Sequence, residues 1–131
     1  MKPFSVLFAL AALATPVWAD APSGLPLLSP RTPVFDARPV MLAAIQASNG
    51  ESHGVLTGEA ANAITQRFGA NTPIFVDVTT ERRYQQPGCS RLKVMFWQDG
   101  VLLPGAKAPR RQTMEFGINY CLDGLPPKAL L

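Results

Sequence analysis

The chain has 131 residues and a formal net charge of +3, and 16% of its residues are charged. This length suits one small domain with a single core and excludes two independent domains. The basic residues are few and scattered along the chain, so the charge argues against nucleic acid as a partner.

The first 19 residues have the pattern of a cleaved secretory signal peptide. Lys2 supplies a positive start, residues 4–14 form an apolar core, and Val17-Trp18-Ala19 ends in a small-x-small pattern. The apolar core is shorter than the roughly 20 residues that a membrane-spanning helix needs. We therefore predict cleavage after Ala19, a periplasmic location and no stable membrane insertion of the mature protein.

Residues 20–39 are predicted to form a proline-rich extended arm, and residues 40–131 a single α+β domain. Five prolines in the arm remove backbone donors and favour extended geometry. Val34 and Phe35 are expected to anchor the arm on the domain. The alternative is an arm that becomes ordered on contact with a partner.

A short helix is expected over Pro39–Ala47, because Pro39 suits a first helical position. Residues 51–54 are polar and are predicted to be a loop, in which the only histidine, His53, is solvated. A lone histidine cannot complete a zinc site once both cysteines are paired, so we expect no metal.

The main helix is predicted over residues 57–68. Thr57 can cap its start, Gly69 can end it, and Ala60, Ala61, Ile64 and Phe68 lie on one stripe at helical spacing. We expect this helix to cover the apolar face of the sheet.

Three alternating segments between Pro73 and Cys121 predict a three-stranded antiparallel meander. Placing Cys89 opposite Cys121 in a disulfide also pairs the apolar residues of the last two strands on one face: Leu92 with Ile118, Val94 with Phe116, and Phe96 with Met114. For the first two strands, an even register that suits the Pro-Gly turn places Val78 opposite Phe96, Glu81 opposite Lys93 and Arg83 opposite Arg91. The two arginines are expected to be solvated or to mark an anion site.

Two surfaces are predicted to bind protein. The face opposite the apolar set carries Arg83, Arg91, Lys93, Met95 and Trp97, and is an interface if no helix covers it and core if another element does. The loop of residues 99–109 carries Leu102 and Leu103 near its tip, which either fold back on the sheet edge or form an exposed contact.

The motifs of catalysis are missing from the sequence. Both cysteines are better used as a disulfide, His53 is the only conventional base, and no G-x-S-x-G motif is present. Each carboxylate has an ordinary structural explanation, and no phosphate loop or metal-ligand cluster is present. We therefore predict a protein that is not an enzyme, with no catalytic residue and no cofactor.

The signal, the arm and two runs, Pro87-Gly88-Cys89-Ser90-Arg91-Leu92-Lys93-Val94 and Asn119-Tyr120-Cys121, resemble small exported accessory proteins of proteobacterial conjugative transfer or type IV secretion clusters. This resemblance implies a non-enzymatic periplasmic role in supporting a transfer apparatus, with another envelope protein as partner. It assigns no role to individual residues.

Two other hypotheses fit a small exported domain with one disulfide. A periplasmic inhibitor of a lysozyme-like hydrolase would present a rigid projecting loop such as residues 99–109. A small hydrolase would require converging carboxylates, or His53 beside an acid in a cleft.

Overall fold

The computed structural model describes residues 31–131, so the predicted signal peptide and residues 20–30 of the predicted arm lie outside the described residues. The elements in chain order are β1 (Thr32–Val34), α1 (Arg38–Gln46), β2 (Glu51–Leu56), α2 (Glu59–Phe68), β3 (Ile74–Arg83), β4 (Cys89–Val101) and β5 (Arg110–Cys121). The strands form one sheet in the order β1-β2-β3-β4-β5, in which β1 is parallel to β2 and the other pairs are antiparallel. The α+β class is confirmed, but the predicted three strands and one main helix are too few.

The pairing of β4 with β5 follows the predicted register. Cys89 lies opposite Cys121 and is bonded to it, and Leu92, Val94 and Phe96 face the predicted partners on β5. The prediction is confirmed because alternation and cysteine spacing independently select the same register, and a slip of one residue would expose the apolar set.

The predicted register of β3 with β4 is wrong by two residues. Val78 lies opposite Val94 rather than Phe96, and Lys93 lies opposite Thr79. Glu81 sits in a bulge between Thr80 and Arg82 and has no partner in the ladder. Alternation determines which face a residue occupies, but a shift of two residues leaves that face unchanged, so the pattern could not distinguish the two registers.

The first of the two helices, α1, covers the core of the sheet. Its residues Val40, Met41, Ala44 and Ile45 are buried among the apolar side chains of β3 and β4. It approaches β2 closely at Gly54, where an added Cβ would lie 2.8 Å from a methyl carbon of Val40. Helix α1 therefore covers the apolar face of the sheet, which is the role that the sequence predicted for the helix of residues 57–68.

The second helix, α2, has no buried residue, so its predicted role as the main cover of the sheet is wrong. Ala61 and Ile64 pack at the border of the core, on the same side of the sheet as α1. Gly69 ends the helix in a left-handed conformation as predicted, but Gly58 precedes its first turn and Thr57 instead donates a hydrogen bond from its hydroxyl to the Val34 carbonyl oxygen. Apolar spacing identified the helix and its stripe, but not the depth to which the stripe is buried.

Residues 51–54 form the start of β2, so the predicted loop is wrong. Polar side chains are tolerated there because every second residue of β2 points away from the core. Next to β2, β1 adds three residues of the predicted arm to the sheet; within them Val34 is buried, while Phe35 just beyond is exposed. Neither helix within residues 31–131 is long and apolar enough to span a membrane.

The last ten residues pack against the turn between β3 and β4. The Cys121 amide donates to the Leu125 carbonyl oxygen, and the Gln85 amide to that of Leu131. Both disulfide cysteines are buried at this end of the sheet.

Candidate functional site

The odd-numbered residues of β2, of β3 as far as Thr79, of β4 as far as Trp97 and of β5 form a surface that we call the open face, since no helix of residues 31–131 covers it. Both helices pack on the opposite side, which we call the helix side. Four of the predicted binding residues lie on the open face and are partly buried: Arg91, Lys93, Met95 and Trp97.

Asp77 on β3 is the centre of the open face. Its carboxylate accepts hydrogen bonds from Arg31 Nη1 at 2.7 Å and from Trp97 Nε1 at 2.6 Å, and His53 Nδ1 lies 2.7 Å away. Burial disfavours the charged carboxylate, but these three partners outweigh burial and lower the pKa of Asp77. Above this lowered pKa Asp77 is ionised, and an ionised carboxylate can only accept hydrogen bonds.

Two arginines enclose the aromatic residues beside Asp77. The Arg31 guanidinium lies 4.3 Å from the ring centroid of Phe75, and that of Arg111 lies 4.2 Å from the ring centroid of Trp97. The Arg111 side chain is held by Asp99, whose pKa is lowered by the hydrogen bond. Trp97 is thus a member of a packed polar and aromatic cluster, neither core nor a bare anchor.

The other three predicted binding residues lie elsewhere. The bulge at Glu81 places Arg83 opposite Ser90 and on the helix side, where its guanidinium donates to the carbonyl oxygens of Ile45 and Ala47 at the end of α1. The predicted position of Arg83 on the face of Trp97 is therefore wrong, because the extra residue reverses the side to which it points. Leu102 and Leu103 lie between β4 and β5, with Leu102 half exposed.

The only histidine of the chain lies beside two acids rather than in a solvated loop. His53 Nε2 is 3.9 Å from a Glu51 carboxylate oxygen, and Nδ1 faces Asp77. His53 therefore lies beside an acid, which is one part of what the hydrolase hypothesis requires. The Asp77 carboxylate is shared with Arg31 and Trp97, however, and His53 lies on a sheet surface, half exposed. No group of three or more potential metal ligands occurs among residues 31–131.

An apolar groove of about 590 Å³, which we call the groove, opens on the helix side between α2 and the strands β4 and β5. It remains because α1 covers only part of that side and α2 stands at its border. Its apolar lining comes from Phe35, Ala37, Leu56, Ala60, Ile64, Phe68, Ile74, Phe96, Trp97, Val101 and Met114. Sequence reasoning missed the groove, since it assigned the stripe of α2 to the core.

The exposed apolar residues of the groove come from three separate parts of the chain. Phe35 follows β1 and is 76% exposed, Phe68 ends α2 and is 36% exposed, and Met114 on β5 is 59% exposed. Two of the four polar side chains of the lining are already engaged: Asp36 pairs with Arg38, whose hydrogen bonds lower the pKa of Asp36 to about 2, and the Gln98 amide donates to two backbone carbonyls. The other two, Gln112 and Thr113, are exposed on β5.

The two edges of the sheet differ in length and protection. The β1 edge has three residues, one of them Pro33, and proline cannot donate to a further strand. The β5 edge has twelve residues, most of them exposed. We call the outer side of β5 the free edge.

Comparison with protein-family models, with curated proteins and with solved structures found no match to this chain. The resemblance to accessory proteins of conjugative transfer therefore stays a prediction. The groove, the open face and the free edge are the features on which a function can be proposed.

Proposed function

We propose that this protein is an exported, non-enzymatic binding protein of the periplasm that holds another envelope protein, in support of an export or conjugative transfer apparatus. The groove is the observation that carries this proposal. Apolar surface of this kind on a small domain is typical of a contact site, because its removal from water is favourable by roughly 25 cal/mol per Å².

The fold does not need the exposed side chains of the groove for its own core. No residue of α2 is buried, and Phe35 is the most exposed large apolar residue of residues 31–131. The exposed apolar side chains of the groove come from three segments of the chain, and a partner that covers them would explain why they lie together. A partner would gain affinity there without competing with the packing of α1 on the sheet.

The chemistry of the groove favours apolar side chains of a protein over a small molecule. Small-molecule sites combine apolar walls with a few convergent polar groups that fix orientation. Here two of the four polar side chains, Asp36 and Gln98, are occupied by Arg38 and by backbone carbonyls. The other two, Gln112 and Thr113, are neighbours on the exposed strand β5 and do not converge from different walls of the groove. We therefore propose an amphipathic segment of an envelope protein as the occupant.

Co-purification tests this proposal. The exported protein would be recovered from periplasmic and membrane extracts, with and without the double substitution Phe35→Ser and Phe68→Ser, and its partners identified by mass spectrometry. We expect a component of a secretion channel or pilus to be recovered with the unaltered protein and to fall at least about tenfold with the variant, a loss of roughly 1.4 kcal/mol.

The matched control is Leu125→Ser, which removes an apolar side chain that is 60% exposed and does not line the groove. Recovery should be unchanged in this control. Equal recovery with the groove variant and the unaltered protein would contradict the proposal.

An inhibitor of a lysozyme-like hydrolase is a second candidate. Its support is that hydrogen bonds fix the residue from which the β4–β5 loop starts. Asp99 is bound by Arg111 through its side chain and by the Thr72 hydroxyl through its carbonyl oxygen. An inhibitor of this kind should lose inhibition of lysozyme with Leu102→Asp, whereas a protein that acts through its groove should retain its partner.

The non-enzymatic part of the proposal is supported by the way in which Asp77 is used. Its carboxylate holds Arg31 and Trp97 as well as His53, so it organises the open face rather than a nucleophile. We expect His53→Ala to leave recovery of the partner unchanged.

A further inference from the structure

We propose that two copies of this protein pair through β5 in antiparallel fashion, so that their sheets join into one sheet of ten strands. This goes beyond the proposed function, because it concerns the free edge rather than the groove. Unpaired sheet edges readily accept another strand, and natural proteins protect the edges that they do not use. The β1 edge is protected by its length and by Pro33, whereas β5 has twelve residues without a proline and pairs on one side only within residues 31–131.

The hydrogen bonds at the end of β5 show which backbone groups point outward. The Leu122 amide donates to the Gly88 carbonyl oxygen, so this pair is hydrogen-bonded and the next pair, Cys89 with Cys121, is not. Because the two kinds of pair alternate along an antiparallel ladder, the odd-numbered residues of β5 direct their amides and carbonyls away from β4. No other strand of residues 31–131 takes up their groups from Thr113 to Asn119, so a second strand can bind there.

One register of β5 with its own copy matches side chains on both faces. If Phe116 lies on the two-fold axis, Phe116 meets its own copy and Met114 meets Ile118 on the helix side. On the open face, Glu115 lies opposite Gly117. Apolar residues then pair with apolar residues, and no like charges are opposed.

The neighbouring registers are less favourable. An axis at Glu115 would oppose two carboxylates, and axes nearer the start of β5 would oppose Phe116 with Gln112 or Arg110. An axis at Gly117 would bring together the two Arg91 guanidinium groups that lie over that glycine. Like charges directly opposite each other are destabilising.

Charge complementarity supports the axis at Phe116. The Arg91 guanidinium occupies the space where a Gly117 side chain would stand, and a Cβ at Gly117 would clash with it. The second copy would place Glu115 opposite Gly117, and so beside Arg91. Within residues 31–131 no ion pair involves Glu115. The dimer would supply two symmetric Arg91–Glu115 pairs.

Cysteine cross-linking tests the register. Phe116→Cys should form a disulfide-linked dimer on mild oxidation, because facing residues of a pair without hydrogen bonds lie about 4.5 Å apart at Cα, within the range of a disulfide. The matched control is Met114→Cys, which is offset from its own copy by four residues, roughly 13 Å along the strand, and should not cross-link.

The charge pair has a test of its own. Sedimentation of the exported protein should give the mass of a dimer at about 100 µM, and Glu115→Arg alone or Arg91→Glu alone should weaken dimerisation by about tenfold. The double variant that exchanges the two charges should restore it. Restoration would not follow if either residue acted only through the fold of its own copy.

Three results would overturn the proposal: a monomer at that concentration, a dimer in which Phe116→Cys fails to cross-link, or equal cross-linking of Met114→Cys. None of them bears on the groove, because recovery of the envelope partner is measured with substitutions at Phe35 and Phe68. Conversely, if co-purification contradicted the proposal for the groove, the sedimentation and cross-linking results would still test the dimer.

Discussion

The two sides of the sheet are stabilised in different ways. On the helix side, α1 packs on residues such as Val76, Val78 and Leu92, which have no exposed surface, so removal of apolar area from water dominates. On the open face no helix of residues 31–131 excludes water, and Asp77 collects three polar partners instead. One side should therefore respond to changes of volume, and the other to changes of charge and pH.

The largest expected effect is on the helix side. Leu92→Ala should lower the free energy of unfolding by about 2–5 kcal/mol, because it removes buried methyl groups and leaves a cavity under α1. Chemical denaturation measures this loss. Leu125→Ala, at an exposed position, should change stability by no more than about 0.5 kcal/mol, and a similar loss in both variants would contradict the assignment of the core.

The disulfide at the end of the sheet should have the next largest effect. Cys89→Ser with Cys121→Ser should cost roughly 2–4 kcal/mol, since the bond closes a loop with a sequence separation of 32 residues. The strand content should persist in circular dichroism, as the β4–β5 register is also held by apolar pairs. An unchanged melting temperature after reduction would show that the bond does not stabilise the fold.

On the open face, Asp77→Asn should cost about 1–3 kcal/mol, because Arg31 loses its charged partner while the amide can still accept a hydrogen bond. The loss should be smaller in high salt, which screens the charges of the unaltered protein. A loss independent of salt would indicate that Asp77 acts through shape alone.

The same carboxylate predicts how stability depends on pH. The pKa of Asp77 is lower in the folded than in the unfolded protein, so the unfolded chain binds more protons in acid. The stabilisation by Asp77 should be fully present above the unfolded value of about 3.9 and should be lost as the pH falls through the lower folded value. Asp36 and Asp99 contribute in the same direction, so the Asp77→Asn variant should show a shallower acid transition rather than none.

The smallest expected effect lies where the two sides meet, at the bulge. Arg83→Gln should cost about 1 kcal/mol, because a cation near the end of α1 interacts favourably with the helix dipole and donates to the carbonyl oxygens of Ile45 and Ala47. The matched control is Arg82→Gln, on the neighbouring residue, which lies opposite Arg91 and whose guanidinium faces the Tyr84 ring rather than α1. Equal losses in the two variants would contradict the role of Arg83 at α1.

Sequence patterns predicted the fold where two signals agreed. Alternation and cysteine spacing together specify the β4–β5 ladder, and Gly69 ends α2 as its left-handed conformation requires. For the register between β3 and β4, alternation was the only signal, and no second one distinguished registers that differ by two residues. The bulge at Glu81 could not be recognised from the alternation of polar and apolar residues. The start of β2 was missed because its residues on one side are polar.

For the open face, the sequence predicted which side of the sheet its residues occupy, but not which side chains contact one another there. Met95 and Trp97 were placed on the correct side by alternation, whereas the meeting of Asp77 with Arg31 and His53 depends on pairing between residues far apart in the chain. The groove could not be predicted at all, because it results from the difference between the area of the sheet and the area that α1 covers.

The position of Trp97 has an experimental consequence. The two tryptophans of the chain are Trp18, inside the predicted signal peptide, and Trp97. If the signal is cleaved as predicted, the fluorescence of the mature protein comes from one indole, which donates to Asp77 and lies under the Arg111 guanidinium. Its emission spectrum would then report, without a label, on the cluster around Asp77 and Arg111 alone, since no second tryptophan would contribute to the signal.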